Sequence, residues 1–171
     1  MQYAKTTLDG INIVNTVLQK LNILDLFEAP DIRIEWNTEY NVQFILEFDE
    51  KKRQTKNSKL EKDPSVLSIL FSIHQGGIEV HLSVFPEMFQ WSVEEIEKDK
   101  AKIENDILMI LANRIKIEYH GSKYRGYRKV SFYDDNGDCA YSGHIRLGFG
   151  HPIKTNWNYK VEEYMPFFRT T

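Results

Sequence analysis

Residues 66–85 read Val66-Leu67-Ser68-Ile69-Leu70-Phe71-Ser72-Ile73-His74-Gln75-Gly76-Gly77-Ile78-Glu79-Val80-His81-Leu82-Ser83-Val84-Phe85. Gly76-Gly77 is a two-residue turn signal, because glycine accepts positive φ at both central positions of a hairpin turn. A chain folding back there sets Ile73 opposite Val80, Phe71 opposite Leu82 and Ile69 opposite Val84. Those six side chains share one face, while Ser72 opposite His81 and His74 opposite Glu79 share the other. Turn position and apolar parity agree. The stretch therefore anchors a sheet with one dry and one wet face.

Upstream, Ile32, Ile34 and Trp36 alternate with Arg33 and Glu35, and Tyr40, Val42, Phe44, Leu46 and Phe48 repeat the same period. With Asn37-Thr38-Glu39 between them, they predict a second hairpin. Before it, Leu8, Ile11, Val14, Leu18, Leu21 and Leu24 recur at helical spacing. They predict a helix over about 7–27, capped by Thr6 and ended by Pro30. Downstream, Ser92-Val93-Glu94-Glu95 is a capping box, and Trp91 ahead of it is placed to staple on Ile96. The helix it opens runs to about Asn113. Strands resume at Ile115–Tyr119, and Asn136-Gly137 predicts a hairpin pairing Phe132 with Tyr141 and Val130 with Gly143.

These elements predict an α+β fold: a curved antiparallel sheet of about six to seven strands with two helices packed on one face. The 171 residues suit a single α+β domain over 1–171, large enough to bury roughly two thirds of its unfolded surface without a metal or disulfide. A mobile basic loop is expected at about 49–64. An aromatic tail at about 155–171 is expected to dock as an edge strand or irregular segment.

The lone Cys139 cannot form an internal disulfide, and Met1-Gln2-Tyr3-Ala4-Lys5 has no apolar signal core. No apolar run approaches membrane-spanning length, so the expected address is the cytoplasm, with no membrane partner. Net charge is −3, but it is distributed in patches. Residues 51–62 hold six basic residues against one acid, and 120–130 hold four against none. By contrast, 87–106 hold seven acids against three lysines.

No short catalytic, nucleotide-binding or metal motif occurs, so no catalytic residue, metal or cofactor is assigned. His74, Glu79 and His81 fall on one face but lack a fourth ligand. Asp134-Asp135-Asn136-Gly137-Asp138 is rich in oxygen yet lacks calcium-loop spacing, and a type I′ turn accounts for it. Cys139 reads as a strand residue without a pKa-lowering neighbour. His144 and His151 sit in a glycine-rich segment with no orienting acid beside them in sequence.

The stretch from Tyr119 to Lys129 interleaves rings with cations, and Tyr124, Arg125, Tyr127, Arg128 and Lys129 are the candidate partner-binding residues. Tyrosine and arginine are favoured at protein interfaces, and rings between cations also suit single-stranded nucleic acid. Met88 and Phe89, crowded before the second helix, are added as a candidate apolar contact. The leading expectation is a non-enzymatic protein-interaction domain, with an inhibitor or immunity-type protein that occludes a partner surface as one form of it. The alternatives are a nucleic-acid-binding domain using 119–129, and an enzyme with an unrecognised histidine-containing site.

Overall fold

The computed structural model describes residues 1–47, 53–56, 67–83, 85–121, 126–147 and 159–168. The chain is α+β with antiparallel sheets, and it divides into two units. One comprises residues 1–47, 67–112 and 168–171; the other comprises 48–66 and 113–167. Among the described residues, no helix is long and apolar enough to cross a membrane.

In the first unit, α1 (Lys5–Lys20) is followed by β1 (Arg33–Asn37), β2 (Asn41–Glu47), β4 (Ser68–His74), β5 (Gly77–Leu82) and β6 (Phe85–Ser92). Then come α2 (Val93–Lys98) and α3 (Lys100–Ala112). The strands form one antiparallel sheet in the order β1-β2-β4-β5-β6. Val42, Phe44, Leu46, Ile69, Phe71, Ile73, Ile78 and Val80 are buried on its dry face, with Phe44 stacked on Phe71 at 4.7 Å. Ile13, Val17 and Leu18 of α1 and Ile103, Ile107 and Ile110 of α3 complete the core. Each such side chain contributes about 1.5–3 kcal/mol of burial.

The central hairpin forms with its faces as predicted and its turn one residue earlier, at Gln75-Gly76. Ile73 pairs with Ile78, Phe71 with Val80 and Ile69 with Leu82. Moving the turn by one residue moves each partner by two, which leaves parity intact. Gly77 is needed in the strand instead. It pairs with Ser92 of β6 at φ +137°, and a Cβ on it would lie 1.9 Å from the Trp91 carbonyl oxygen.

Helix α1 stops well before Pro30. Asn22 takes the left-handed conformation at φ 56°, Asn22 N–H donates to Gln19 O at 3.0 Å, and Ile23 N–H donates to Leu18 O at 2.9 Å. That is a Schellman stop with asparagine in the usual glycine place. No side chain caps the other end, where Ala4 rather than Thr6 holds the N-cap position. Leu8 and Leu24 are exposed, and Ile13 and Val17 take their place in the buried stripe. Trp36 is exposed as well, because a bulge after Ile34 sets it opposite Gln43 on the wet face.

Two helices were expected, and three are present among the described residues. The capping box forms at α2: Glu95 N–H donates to Ser92 Oγ at 3.3 Å, and Ser92 N–H donates to Glu95 Oε2 at 2.8 Å. The helix then breaks at Asp99, whose carboxylate accepts from Lys102 N–H at 3.0 Å and restarts the chain as α3. The Trp91 indole N–H donates to Asp106 Oδ2 of α3 at 3.1 Å.

The second unit contains β3 (Arg53–Lys56), β7 (Arg114–Gly121), β8 (Gly126–Tyr133), β9 (Cys139–Leu147) and β10 (Tyr159–Tyr164), ordered β3-β10-β7-β8-β9. The single sheet of six to seven strands is thus corrected to two sheets of five. A strand has only two edges. Those of β7 are taken by β8 and β10, so β7 starts a separate sheet rather than extending the earlier one. Position 53–56 of the expected loop is a strand, and residues 48–52 and 57–66 lie outside the described residues. The tail strand β10 is flanked on both sides rather than lying at an edge.

The second hairpin pairs Phe132 with Tyr141 and Val130 with Gly143, as the sequence predicts. Its turn is not type I′, since Asn136 has negative φ and Gly137 alone is left-handed, at φ 86°. Gly137 N–H donates to the Asp134 carbonyl at 3.0 Å, and Asp134 Oδ1 accepts from Asn136 N–H and Asp138 N–H at 2.9 and 2.8 Å. The oxygen-rich run is a side-chain-braced turn.

Candidate functional site

The described residues of the 119–129 stretch, 119–121 and 126–129, are strand. They are the end of β7 and the start of β8, paired from Arg114↔Tyr133 through Gly121↔Gly126. Gly126 allows the close approach: it has φ +154°, and a Cβ there would lie 1.9 Å from the His120 carbonyl oxygen. Because strand side chains alternate, this pairing splits the candidate residues between two faces. Tyr127 and Lys129 share one, and Arg128 takes the other. Tyr124 and Arg125 lie outside the described residues.

On the Arg128 face, the guanidinium lies over the Tyr119 ring at 5.3 Å. The Tyr119 hydroxyl donates to Glu162 Oε2 at 3.0 Å, and the Tyr164 hydroxyl donates to the same oxygen at 3.2 Å. Register places Glu162 beside Ile117, and it is only 2% exposed. A buried carboxylate requires such donors, since its desolvation is costly without them. Burial, and then the charge of Glu162, push the Tyr119 phenol far above its usual range. These four polar groups sit among Ile115, Ile117, Val130 and Phe132, all fully buried. They form an internal brace, and Arg128 is committed to it.

The other face is half-exposed and mixed in charge. His120 and Tyr127 stack with centroids 4.2 Å apart and planes 13° from parallel. Burial, then the nearby Lys129 and Lys116, push the His120 imidazole below its usual range against the opposing pull of Glu118. Glu118 bridges two lysines: Lys116 Nζ lies 3.3 Å from Oε1 and Lys129 Nζ lies 3.9 Å from Oε2. At the far end of the same strands, the Arg114 guanidinium lies over the Tyr133 ring at 5.7 Å. Two ring–cation or ring–ring pairs thus flank one neutralised acid.

The remaining candidates separate from these. Phe89 is half-buried in β6, opposite Val80 and stacked on Trp91 at 6.4 Å, which is core packing. Met88 lies opposite His81, and its side chain is outside the description. Glu79 does lie between both histidines of the first sheet, 3.3 Å from His74 Nε2 and 3.7 Å from His81 Nε2. Gly76 N–H donates to His74 Nδ1 at 3.0 Å, so the ring proton sits on Nε2 and faces the carboxylate. Each imidazole uses a different carboxylate oxygen. Among the described residues, no three His, Cys, Asp or Glu gather in a way that could hold a metal.

His144 lies opposite Lys129 with no carboxylate at hydrogen-bond distance among the described residues, and His151 lies outside them. Cys139 is exposed, its thiol donating to the Tyr141 carbonyl at 3.3 Å. A cleft of about 390 Å³ is lined by Arg114, Asp134, Asp135, Asn136, Gly137, Met165 and Pro166, and holds no histidine.

The Glu162 brace was missed in the sequence reading. Its signal was Glu162 sharing strand parity with Tyr164, an acid on the apolar side of an aromatic tail. No family model, no curated protein and no solved structure matches the chain.

Proposed function

We propose that the chain is a non-enzymatic protein-interaction domain whose contact surface is the half-exposed face of β7–β8, built from His120, Tyr127, Lys129, Arg114 and Tyr133. The observation that carries this reading is the Lys116–Glu118–Lys129 bridge. With both lysines facing a carboxylate, the surface offers rings and balanced charge rather than a row of phosphate-binding cations. Tyrosine and arginine on a rigid strand pair are the residue types that carry most binding energy at protein interfaces. The committed position of Arg128 over Tyr119 further weakens the nucleic-acid alternative. A histidine-based active site finds no support in His144, which has no acid to orient it among the described residues.

The partner this favours presents an acidic or mixed polar surface. In the finer form of the reading, the 1–171 chain acts as one cytoplasmic domain that occludes its partner in the manner of an inhibitor or immunity protein. The test is capture from native lysate by the wild-type chain and by Tyr127→Ala/Tyr133→Ala, each first shown by circular dichroism to be folded. The wild type is expected to retain a stoichiometric protein that the variant loses by about thirtyfold, the size of a single hot spot. Equal capture by both, or retention of nucleic acid with a steep salt dependence instead, would overturn the reading.

A further inference from the structure

The first unit exposes a second set of rings, around the turn between β1 and β2. Trp36 is 56% exposed, Tyr40 51% and Phe27 43%. Phe27 and the turn backbone are held by their neighbours. Tyr3 stacks on Phe27 with centroids 6.2 Å apart and planes 8° from parallel, and its hydroxyl donates to Asn37 Oδ1 at 2.8 Å. Ala4 N–H donates to the Glu39 carbonyl at 3.0 Å, and Thr38 N–H donates to the Asn41 carbonyl at 2.8 Å, closing the turn. Rings held out to water on a fixed backbone lose little entropy when a partner covers them.

The chemistry around the rings is one-sided. Residues 24–40 carry Asp25, Glu28, Asp31, Glu35 and Glu39 against a single base, Arg33, and all six are exposed. Arg33 already meets Glu35 and, at 3.0 Å, Glu47. Among the described residues, Glu28, Asp31 and Glu39 form no ion pair. Glu39 accepts a hydrogen bond from the Tyr40 hydroxyl, holding that phenol above its usual range. The stretch bearing these rings thus carries an excess of negative charge, with Lys5, next to Ala4, a base close outside it, and such an excess disfavours phosphate groups and anionic membranes. A second copy of the chain would set the same acids against one another.

We propose that this surface docks a cationic polypeptide segment, its Lys or Arg side chains lying over the Trp36 and Tyr40 rings and reaching the carboxylates of Asp31 and Glu39. Cations over exposed rings are individually weak, and the excess of acids adds attraction at low salt. The proposal names a surface separate from the Tyr127–Tyr133 face and stands without it.

The test uses the full chain and a fluorescein-labelled dodecapeptide alternating Lys and Ser, followed by anisotropy, with the Glu–Ser peptide as control. Saturable binding of the lysine peptide alone is expected, and it weakens at 0.5 M salt. Trp36→Ala/Tyr40→Ala is expected to weaken binding about tenfold, two exposed cation–ring contacts' worth, and Asp31→Asn/Glu39→Gln about threefold. Tyr127→Ala/Tyr133→Ala should leave the peptide affinity unchanged, which separates this outcome from that of the other face. The idea fails if the lysine peptide does not bind, or if both first-unit variants bind it as well as wild type. It fails equally if sedimentation shows a dimer that Trp36→Ala dissolves.

Discussion

In the first sheet, the residues around Phe44 and Phe71 form an apolar layer under helices of the same unit, and polar groups keep to the opposite face. In the second sheet the unit has no helix among its described residues, and the buried layer includes a carboxylate, Glu162, held by two phenol hydroxyls. Strand number and pairing are alike. The chemistry of the core is not. A sheet covered by helices can rely on area removed from water, whereas one that buries an acid depends on each of its donors. Mutations should therefore separate the two sheets by chemistry, and only shared backbone devices should affect both alike.

The largest effect is expected at such a shared device. Gly77 and Gly126 each begin a strand at positive φ, with a carbonyl oxygen 1.9 Å from where a Cβ would sit. Gly77→Val and Gly126→Val should each cost about 4 kcal/mol or more in urea unfolding, because backbone must move. If one is tolerated, the likeness between the sheets breaks.

Next comes the contrast in core chemistry. Glu162→Leu should cost about 2–3 kcal/mol, since it strands the Tyr119 and Tyr164 hydroxyls. In the first sheet, Ser72 is buried with only a 3.4 Å contact from Gln43, and Ser72→Ala should cost about 1 kcal/mol or less. Equal costs would erase the distinction.

The brace also gives a pH dependence. Tyr119 has its phenol raised in the folded state, so the unfolded chain ionises first. The sign follows: the contribution is intact below about pH 10 and is lost as pH climbs beyond it, by up to about 1.4 kcal/mol per pH unit. Tyr119→Phe should flatten the alkaline limb of stability against pH, read as urea midpoints from pH 8 to 11. A last, similarly small effect belongs to the first unit alone. Ser92→Ala removes the capping box and should cost about 1 kcal/mol, lowering the thermal midpoint by a few degrees.

What was legible in the sequence was parity and local turn chemistry. The glycine pair fixed which side chains share a face even though the turn moved, because a register error of two is invisible to an alternating pattern. The capping box and the Asn136-Gly137 register were readable for the same local reason. Failures came where tertiary context decided. Asn22 stops α1 in a conformation asparagine only tolerates, so Pro30 looked like the first barrier. Pro86 disguised β6, since proline argues against a strand unless the strand lies at an edge, which it does. The site was half legible. Tyr127 and Lys129 do share a surface, but reading 119–129 as one patch ignored alternation, which sends Arg128 to the Glu162 brace. Trp36 looked like core until a bulge turned it over.

The place of β10 has a consequence for biosynthesis. Among the described residues β3 pairs only with β10, yet about a hundred residues separate them along the chain. On a ribosome adding about 5–20 residues per second, Arg53–Lys56 waits roughly 5–20 s before Tyr159–Tyr164 is made. Throughout that interval the nascent chain carries a basic segment without its strand neighbour, and for the last part of it β7 lacks one of its two. Holdase chaperones that recognise unpaired strands would find their substrate in that window, and a stalled or truncated product lacking the last dozen residues would remain in it.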